Sequence, residues 1–346
     1  MSTPQAAFRP SYDTCSVITA LCPVKATTLG YFPNQGVNIF VAIGFGIAAI
    51  VTLVFGVWKR TWGYSIAIAA GCILELAGYI GRAQLSANPW NGSAFKTQIV
   101  AIILGPTLIC IGLYLTLRHI VLALDPSLSR IPPRAYPLIF VPADVSCLVI
   151  QAIGGGIAAA AGRDKVDLLQ NGNRTIIAGI VLQVVVLGVF GALSAEYLLR
   201  VRRTLTGPNP SGNEDAVALW ADRRFKTFLY AMAGAYAGLA IRCVYRIAEM
   251  AGGWGNHIMQ DEPSFVVLES FAVLIASGLL AAFPPGVFFP HMSHSLAIKN
   301  SRRTADTGSA PATATATAGT ATPGQQTEGD SSSANEKPAN EKPEAV

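Results

Sequence analysis

Charged residues are scarce in this chain: Asp, Glu, Lys and Arg together make up 13% of it, against 51% hydrophobic residues. This balance excludes a water-soluble protein of 346 residues, because soluble domains carry about 25% charged residues. The mean hydropathy of +0.44 agrees. The sequence therefore predicts an integral, multi-pass membrane protein. No basic stretch interleaved with aromatic residues points to nucleic acid as a partner.

The sequence also lacks the common motifs of catalysis. It contains no Gly-x-x-x-x-Gly-Lys-Ser/Thr, which disfavours ATP hydrolysis, and no Gly-x-Ser-x-Gly of serine hydrolases. The four histidines are not grouped within a hydrophobic run as haem or a membrane iron site would require, and no zinc-binding Cys/His spacing occurs. We therefore predict no catalytic residue, no metal and no cofactor, and we disfavour an enzyme.

Long apolar runs, by contrast, are abundant. Backbone polar groups in hydrocarbon must pair within their own segment, so runs long enough to cross a bilayer are predicted to be helices. Seven such runs cover residues 36–58, 62–80, 98–117, 137–161, 176–199, 228–249 and 265–283. The predicted fold class is all-α, a seven-transmembrane-helix bundle over residues 36–287. An external segment, 1–35, precedes it, and a low-complexity tail, 288–346, with a composition typical of disorder, follows.

The distribution of Lys and Arg predicts the orientation of the bundle. Fourteen of these residues fall on one set of connecting segments and seven on the other. The positive-inside rule then places the N-terminus outside and the C-terminal tail in the cytosol. The glycosylation sequons at Asn91 and Asn173 fall outside in this topology. Cys15 and Cys22 also fall outside, where a disulfide and two free thiols are both compatible with the sequence.

The sixth hydrophobic run contains three ionisable groups on one helical face. Arg242, Arg246 and Glu249 stand at i, i+4 and i+7, within about 60° of arc at about 100° per residue. Each group would cost about 3 kcal/mol if it faced lipid at the bilayer centre. We therefore predict that this face meets protein or water, in a polar site buried between helices.

The second run repeats the same spacing with Glu75, Tyr79 and Arg82. In the predicted orientation, these residues and the charged face of the sixth run lie in the outer half of the membrane. Polar residues of three other runs are predicted to point toward the same depth in the membrane. They are Gln183, Glu269, Gln151 and, nearer the cytosol, Asp144. The sequence thus predicts a polar site built by five helices.

Two interpretations of this cluster remain open. Three acids, Glu75, Glu249 and Glu269, balance three bases, Arg82, Arg242 and Arg246, so the cluster is either a structural ion-pair network or a site for an amphiphile headgroup or a proton. On the second interpretation, Glu75, Glu249 and the additional carboxylate Asp144 receive a cationic headgroup. The three bases then keep these carboxylates ionised or bind a phosphate. Asp144 has no obvious partner in the sequence and is the candidate proton carrier, unless it caps a polar contact with a neighbouring helix.

Several motifs resemble those of a known family. They are Gly30-Tyr31-x-Pro33, Glu75-x-x-Gly78-Tyr79-x-Gly81-Arg82, Gln98 with Pro106, Asp144 with Gln151-x-x-Gly154-Gly155-Gly156, Gly179-x-x-x-Gln183, and Arg242-x-x-Tyr245-Arg246-x-x-Glu249 followed by Glu262. Over residues 28–287 the chain resembles the fungal lipid-translocating exporter family of seven-span proteins, associated with aminocholesterol resistance and sphingoid-base release. Glu269 stands where that family usually has Asp, and Pro284 where it often has His.

The resemblance implies export or transbilayer movement of amphipathic lipids, such as sphingoid bases, or of toxic amphiphiles. We predict this function for a plasma-membrane or endomembrane protein that confers resistance. Movement would be downhill or coupled to a proton or another gradient, since no ATP site is present. The alternatives are a seven-helix receptor or sensor and an intramembrane enzyme dependent on Glu75 or Glu249. The candidate substrate-binding residues are Glu75, Tyr79, Arg82, Asp144, Gln151, Gln183, Arg242, Tyr245, Arg246, Glu249 and Glu269; the oligomeric state stays open.

Overall fold

The computed structural model describes residues 10–12, 14–161, 165–206 and 214–289, and no β-strand occurs in these ranges. The helices are α1 (Gln35–Lys59), α2 (Trp62–Ala87), α3 (Gly92–Leu124), α4 (Ala135–Ala161), α5 (Val166–Thr206), α6 (Glu214–Ala221), α7 (Arg223–Ala251), α8 (Glu262–Phe265), α9 (Ala272–Ala282) and α10 (Pro285–Phe288). A π-helical turn, Val266–Phe271, joins α8 to α9.

Seven of these helical segments are long and apolar enough to cross a membrane, which confirms the predicted fold class. They extend beyond most of the predicted runs, because polar caps rather than the end of the apolar run stop a helix. The Asn34 side chain accepts the N–H of Val37 at the start of α1, and that of Asn91 accepts the N–H of Ala94 at the start of α3. Of the predicted tail, 288–346, residues 290–346 lie outside the described residues, and the orientation of the bundle stays a prediction.

The seven spans form a closed ring. Each contacts the next along the chain, from α1 to α2 through α7 to α9, and α9 contacts α1. The third span also contacts α7 across the ring. It is the most deeply buried of the spans, with 61% of its most apolar window inside the protein. Helix α3 therefore has the most enclosed position of the seven spans.

The segment before α1 folds over one end of the ring. Cys15 and Cys22 form a disulfide, so of the two states compatible with the sequence the structure has the bonded one. The indole N–H of Trp90, in the α2–α3 connection, donates to the carbonyl of Cys22 at 3.0 Å. The ring of Tyr12 stacks on Phe95 of α3, with 4.8 Å between their centroids. These contacts fix the segment beside the ends of α2 and α3.

Candidate functional site

Arg242 of α7 forms an ion pair in the interior of the ring. Its Nε donates to Oε1 of Glu269 at 2.8 Å, and both side chains are buried. Its Nη2 donates to the carbonyl of Ile102 in α3, also at 2.8 Å. That carbonyl is available because Pro106, four residues later, has no backbone N–H with which to bond it. Arg242 thus connects three helices.

Glu269 reaches this position from the π-helical turn of the seventh span. A π turn holds one residue more than an α turn, and such turns are frequent at functional sites. Here the turn contains both Glu269 and Ser270, whose side chains are buried. Oε2 of Glu269 has no hydrogen-bond partner among the described residues.

Arg246 and Glu249 pair with each other within α7. An Nη1 N–H of Arg246 donates to Oε2 of Glu249, three residues later on the same helix face. The two ion pairs, this one and Arg242 with Glu269, use four of the six charged groups that the sequence balanced. The ion-pair interpretation therefore explains part of the cluster, and it leaves Glu75 and Arg82 unexplained.

Glu75 is fully buried without a hydrogen bond. Neither carboxyl oxygen has a partner among the residues that the structure describes. The carboxyl packs on the backbone of Gly105 in α3, where a Cβ would lie 2.6 Å from Oε1. The charges of Arg242, Glu269 and Arg246 act on it. Glu75 is thus a buried acid beside a charged network but outside its hydrogen bonds.

Arg82 stands two turns along α2 from Glu75 and is 1% exposed. Its Nη2 donates to the hydroxyl of Tyr31, and its guanidinium lies 3.9 Å from the ring centroid of Phe265. Burial raises the pKa of Tyr31 above its ordinary value, so this partner is a neutral hydroxyl at physiological pH. No carboxylate lies within ion-pair distance of Arg82 in the described ranges, and its Nε has no partner there.

A second group of polar residues lies farther along α3. The amide of Gln151 donates to Oε1 of Gln183 at 3.1 Å, and the amide of Gln183 donates to Thr107 of α3 at 3.2 Å. This bond chain ties α4, α5 and α3 together inside the ring. Gln151 and Gln183 were predicted site residues, and Thr107 was missed because a lone Thr in an apolar helix most often bonds its own backbone.

Asp144 has a hydrogen-bond partner on a neighbouring helix. The hydroxyl of Tyr114 in α3 donates to Oδ2 of Asp144 at 2.7 Å. Tyr114 is fully buried, and its ring packs on Phe190 with 4.5 Å between centroids. Spacing within one helix could not identify this contact, because it joins α3 and α4. The polar contact with a neighbouring helix, weighed as the alternative role of Asp144, is the arrangement present.

The sequence predicted that the polar residues lie at one depth, whereas in the structure their contacts occur at successive positions along α3, which we call the stepped series. Its positions are Gln98, the carbonyl of Ile102, Thr107 and Tyr114, which contact or lie beside polar groups of the other helices. Sixteen residues separate Gln98 from Tyr114, about 24 Å along a helix axis. The structure therefore spreads the candidate residues across the protein interior rather than collecting them at one depth.

Tyr79 and Tyr245 complete the candidate set. Tyr79 is fully buried and stacks on Phe45 of α1 at 5.6 Å, and Tyr245 is 6% exposed. The hydroxyl of neither has a hydrogen-bond partner in the described part of the chain. Both tyrosines thus carry polar groups into the interior beside the charged network.

Two cavities border the stepped series. At the end of the ring that the N-terminal segment covers, a narrow cleft lies among Arg82, Gln98, Arg246 and Glu249. Near the other end, a wider apolar groove lies between α3, α5 and α7. We name them the outer cleft and the inner groove, after the predicted orientation. Phe190 lines the inner groove and packs on Tyr114.

Comparison with known proteins identifies the family. The family described as RTA1 like protein matches residues 68–292, about two thirds of the chain. The chain belongs to this RTA1-like family. All eleven candidate residues lie within the matched range, whereas Tyr31 and α1 precede it. The membership confirms the resemblance found in the motifs of α2 and α7, and with the seven apolar helices it identifies an integral, multi-pass membrane protein.

Individual relatives of this RTA1-like chain come from yeast. The sphingoid long-chain base transporter RSB1 of Saccharomyces cerevisiae is 28% identical over 295 residues, which cover 78% of this chain and 76% of the relative. Protoporphyrin uptake protein 1 of the same species is 29% identical over 220 residues, 63% of this chain and 67% of the relative. Protein RTM1 is 26% identical over 232 residues, 67% of this chain and 69% of the relative. No solved structure matches this chain.

Proposed function

We propose that this protein moves amphipathic lipids or related amphiphiles across the membrane, with sphingoid bases among its substrates. Membership of the RTA1-like family supports transport, and two of the relatives are named for the transport of a sphingoid base and the uptake of a porphyrin. These names favour a transporter over the seven-helix receptor and over an enzyme. Export toward the outer leaflet of the plasma membrane or an endomembrane is part of the proposal.

The observation that carries this proposal is the stepped polar series along α3. A headgroup that crosses hydrocarbon loses its hydration, and each unpaired polar group then costs several kcal/mol. Polar side chains at successive depths replace water as partners during the crossing. Gln98, Thr107 and Tyr114 occupy such depths, and the amide of Gln183 lies between the outer cleft and Asp144.

The inner groove supplies an apolar surface for the alkyl chain of the substrate. Its lining is formed by apolar side chains such as Leu113, Leu117 and Phe190, on which an alkyl chain can pack. Because Phe190 also packs on Tyr114, a chain in this groove has its polar end beside the Tyr114 and Asp144 pair. An amphiphile fits this combination of a polar contact and an apolar groove.

Glu75 replaces Asp144 as the proposed proton or cation acceptor. Asp144 already accepts a hydrogen bond, whereas neither oxygen of Glu75 does so among the described residues. An ionised carboxylate without partners is costly to bury, and a proton or an ammonium headgroup removes that cost. Since the sequence contains no ATP-binding motif, we propose that proton movement through Glu75 drives uphill transport.

Flux in proteoliposomes tests the proposal. We expect purified protein to move a fluorescent sphingoid base between leaflets faster than protein-free liposomes do. Gln183→Leu should slow this flux about tenfold, because it interrupts the polar series and leaves Thr107 without its amide donor. Gln170→Leu is the matched control, since Gln170 lies exposed on the same helix and its variant should keep wild-type flux.

Two results would contradict transport along this series. One is wild-type flux no faster than that of protein-free liposomes. The other is equal flux for Gln183→Leu and Gln170→Leu. Ligand-dependent recruitment of a cytosolic partner, in the absence of flux, would instead support the receptor.

A further inference from the structure

The outer cleft has a mixed lining of charged, amide and aromatic side chains. Its polar side comprises Arg82 and Gln98, together with the Arg246 and Glu249 pair. Its other side is formed by apolar and aromatic residues of the N-terminal segment, α3, the α7–α8 connection and α8: Leu29, Phe95, Trp254, Met259 and Phe265. Its lining shares no residue with that of the inner groove, so the two sites are separate.

Arg82 brings a positive charge into this cleft, and no carboxylate lies within ion-pair distance of it among the described residues. Its hydrogen bond goes to the neutral hydroxyl of Tyr31, and its Nε has no partner in the part of the chain that the structure describes. The Phe265 ring covers one face of the guanidinium in a cation–π contact. A buried guanidinium has five N–H donors in a planar fork, which suits a carboxylate or phosphate.

The acids at this end of the ring form their hydrogen bonds with groups other than Arg82. Glu249 accepts from Arg246, so that pair adds no net charge to the cleft. Oε1 of Glu262 accepts the backbone N–H of Asn34 at 2.6 Å. The carboxylate of Asp261 accepts from the Ser264 hydroxyl. The cleft lining itself holds two arginines and one glutamate, a net charge of +1 when all three are ionised.

A neutral acceptor stands opposite this charge. Gln98 is 5% exposed, it lines the cleft, and its Oε1 has no hydrogen-bond partner among the described residues. An amide can turn either its oxygen or its NH₂ toward a ligand. A phosphate monoester suits both neighbours, because it offers charged oxygens to Arg82 and, when singly ionised, a hydroxyl to Gln98.

We propose that the outer cleft is a binding site for an anionic headgroup, a phosphate or a carboxylate, with Arg82 as its counter-charge. Phe95 and Trp254 contact the first part of the chain to which that headgroup is attached. The site goes beyond the proposed transport function, since it binds an anion at the mouth of the ring, whereas Glu75 and Asp144 serve cationic or neutral groups deeper inside. The same chemistry fits an anionic lipid and a free phosphate.

Fluorescence quenching of Trp254 measures occupancy of this cleft. The probes are brominated dodecyl phosphate and brominated dodecyltrimethylammonium, added to the purified full chain in an uncharged detergent. The chain has five tryptophans, so the contribution of Trp254 must be separated from the others. It is the part of the quenching that is lost in the Trp254→Phe variant. We expect saturable quenching by the phosphate probe at least tenfold tighter than by the ammonium probe. Equal affinity of the wild-type protein for both probes would overturn the proposal.

Variants of Arg82 test whether its positive charge binds the phosphate probe. Arg82→Gln should weaken phosphate-probe binding at least tenfold, and Arg82→Lys should weaken it less, since a lysine keeps the charge but loses the fork. Arg130→Gln is the control, because Arg130 is an exposed arginine that pairs with Glu196 at the other end of the ring. Unchanged binding in Arg82→Gln would contradict the assignment.

Competition with inorganic phosphate distinguishes the two sources of the anion. Displacement of the dodecyl phosphate probe by millimolar phosphate supports a site that binds free phosphate without an attached alkyl chain. Tight probe binding that phosphate does not displace supports an anionic lipid. Because binding is measured at equilibrium, its absence contradicts this site alone, while the proteoliposome flux decides the transport function separately.

Discussion

At the scale of single residues, the interior polar groups differ in whether they have partners. Asp144 accepts a hydrogen bond from Tyr114, and Arg242 pairs with Glu269. Glu75, in contrast, has no donor among the described residues. Satisfied groups of this kind hold helices in register, whereas an unsatisfied buried acid is available to a proton or a ligand. This difference directs the proposed chemistry to Glu75.

The Tyr114 hydroxyl provides a stability prediction. Tyr114→Phe removes the donor and leaves Oδ2 of Asp144 buried without a partner, which costs about 1–3 kcal/mol. We expect a lower Tm in detergent, measured by the change of intrinsic tryptophan fluorescence during heating. Tyr230→Phe is the control, since Tyr230 is 78% exposed and should keep the wild-type Tm. Equal Tm values for the two variants would show that the bond contributes nothing.

The sequence predicted which residues are buried better than it predicted their partners. The i, i+4, i+7 spacing of Arg242, Arg246 and Glu249 predicted one face turned inward, and that face is turned inward. The Glu269 contact depends on a π turn, which no local pattern specified. Pro106 did offer a signal, because a proline inside a helix frees a carbonyl for an outside donor. Partners across helices depend on packing that a single helix does not encode.

At the scale of elements, close packing of α4 on α5 depends on one glycine of three. A Cβ at Gly154 would lie 2.7 Å from the backbone nitrogen of Ile176 and 2.8 Å from the carbonyl oxygen of Gly172. At Gly155 and Gly156, a Cβ would meet nothing within 4 Å among the described residues. The triple glycine therefore brings two helix backbones together at Gly154 only.

Alanine substitutions at adjacent glycines test this packing. Gly154→Ala forces α4 and α5 apart and should cost about 1–3 kcal/mol. Gly155→Ala lies on the same helix in open space, and alanine favours helix over glycine by about 1 kcal/mol, so its stability should be equal or higher. Thermal unfolding in detergent measures both. A Gly155→Ala variant as unstable as Gly154→Ala would contradict the packing account.

The elements themselves were predictable because hydrocarbon dictates them. All seven apolar runs became helices, and the differences lie at their ends, as at α5, which the structure extends to Val166–Thr206. Apolar runs mark the part of a helix inside hydrocarbon, while caps and connections set where it stops. The disulfide between Cys15 and Cys22 was one of two outcomes compatible with the sequence, since pairing needs a distance that spacing alone does not give.

At the scale of the whole molecule, polar groups follow one buried helix, α3, from Gln98 to Tyr114. Helix α3 contacts the outer cleft at Gln98 and borders the inner groove at Leu113, with Thr107 between them. The ring of helices shields this series from lipid, so a headgroup can exchange partners step by step while its chain stays in hydrocarbon. This arrangement suits an RTA1-like transporter of amphiphiles.

The central claim, that lipid crosses this interior with Glu75 as the proton acceptor, is tested most directly by flux under an imposed pH gradient. Wild-type protein, Glu75→Gln and the control Glu196→Gln are compared in proteoliposomes with a fluorescent sphingoid base; the Glu196 carboxylate is partly exposed and pairs with Arg130 and Arg200. We predict that the gradient accelerates flux severalfold for the wild type and for Glu196→Gln. It should not accelerate flux for Glu75→Gln, because a glutamine at position 75 cannot take up a proton. A Glu75→Gln variant that keeps the wild-type response to the gradient would contradict the account.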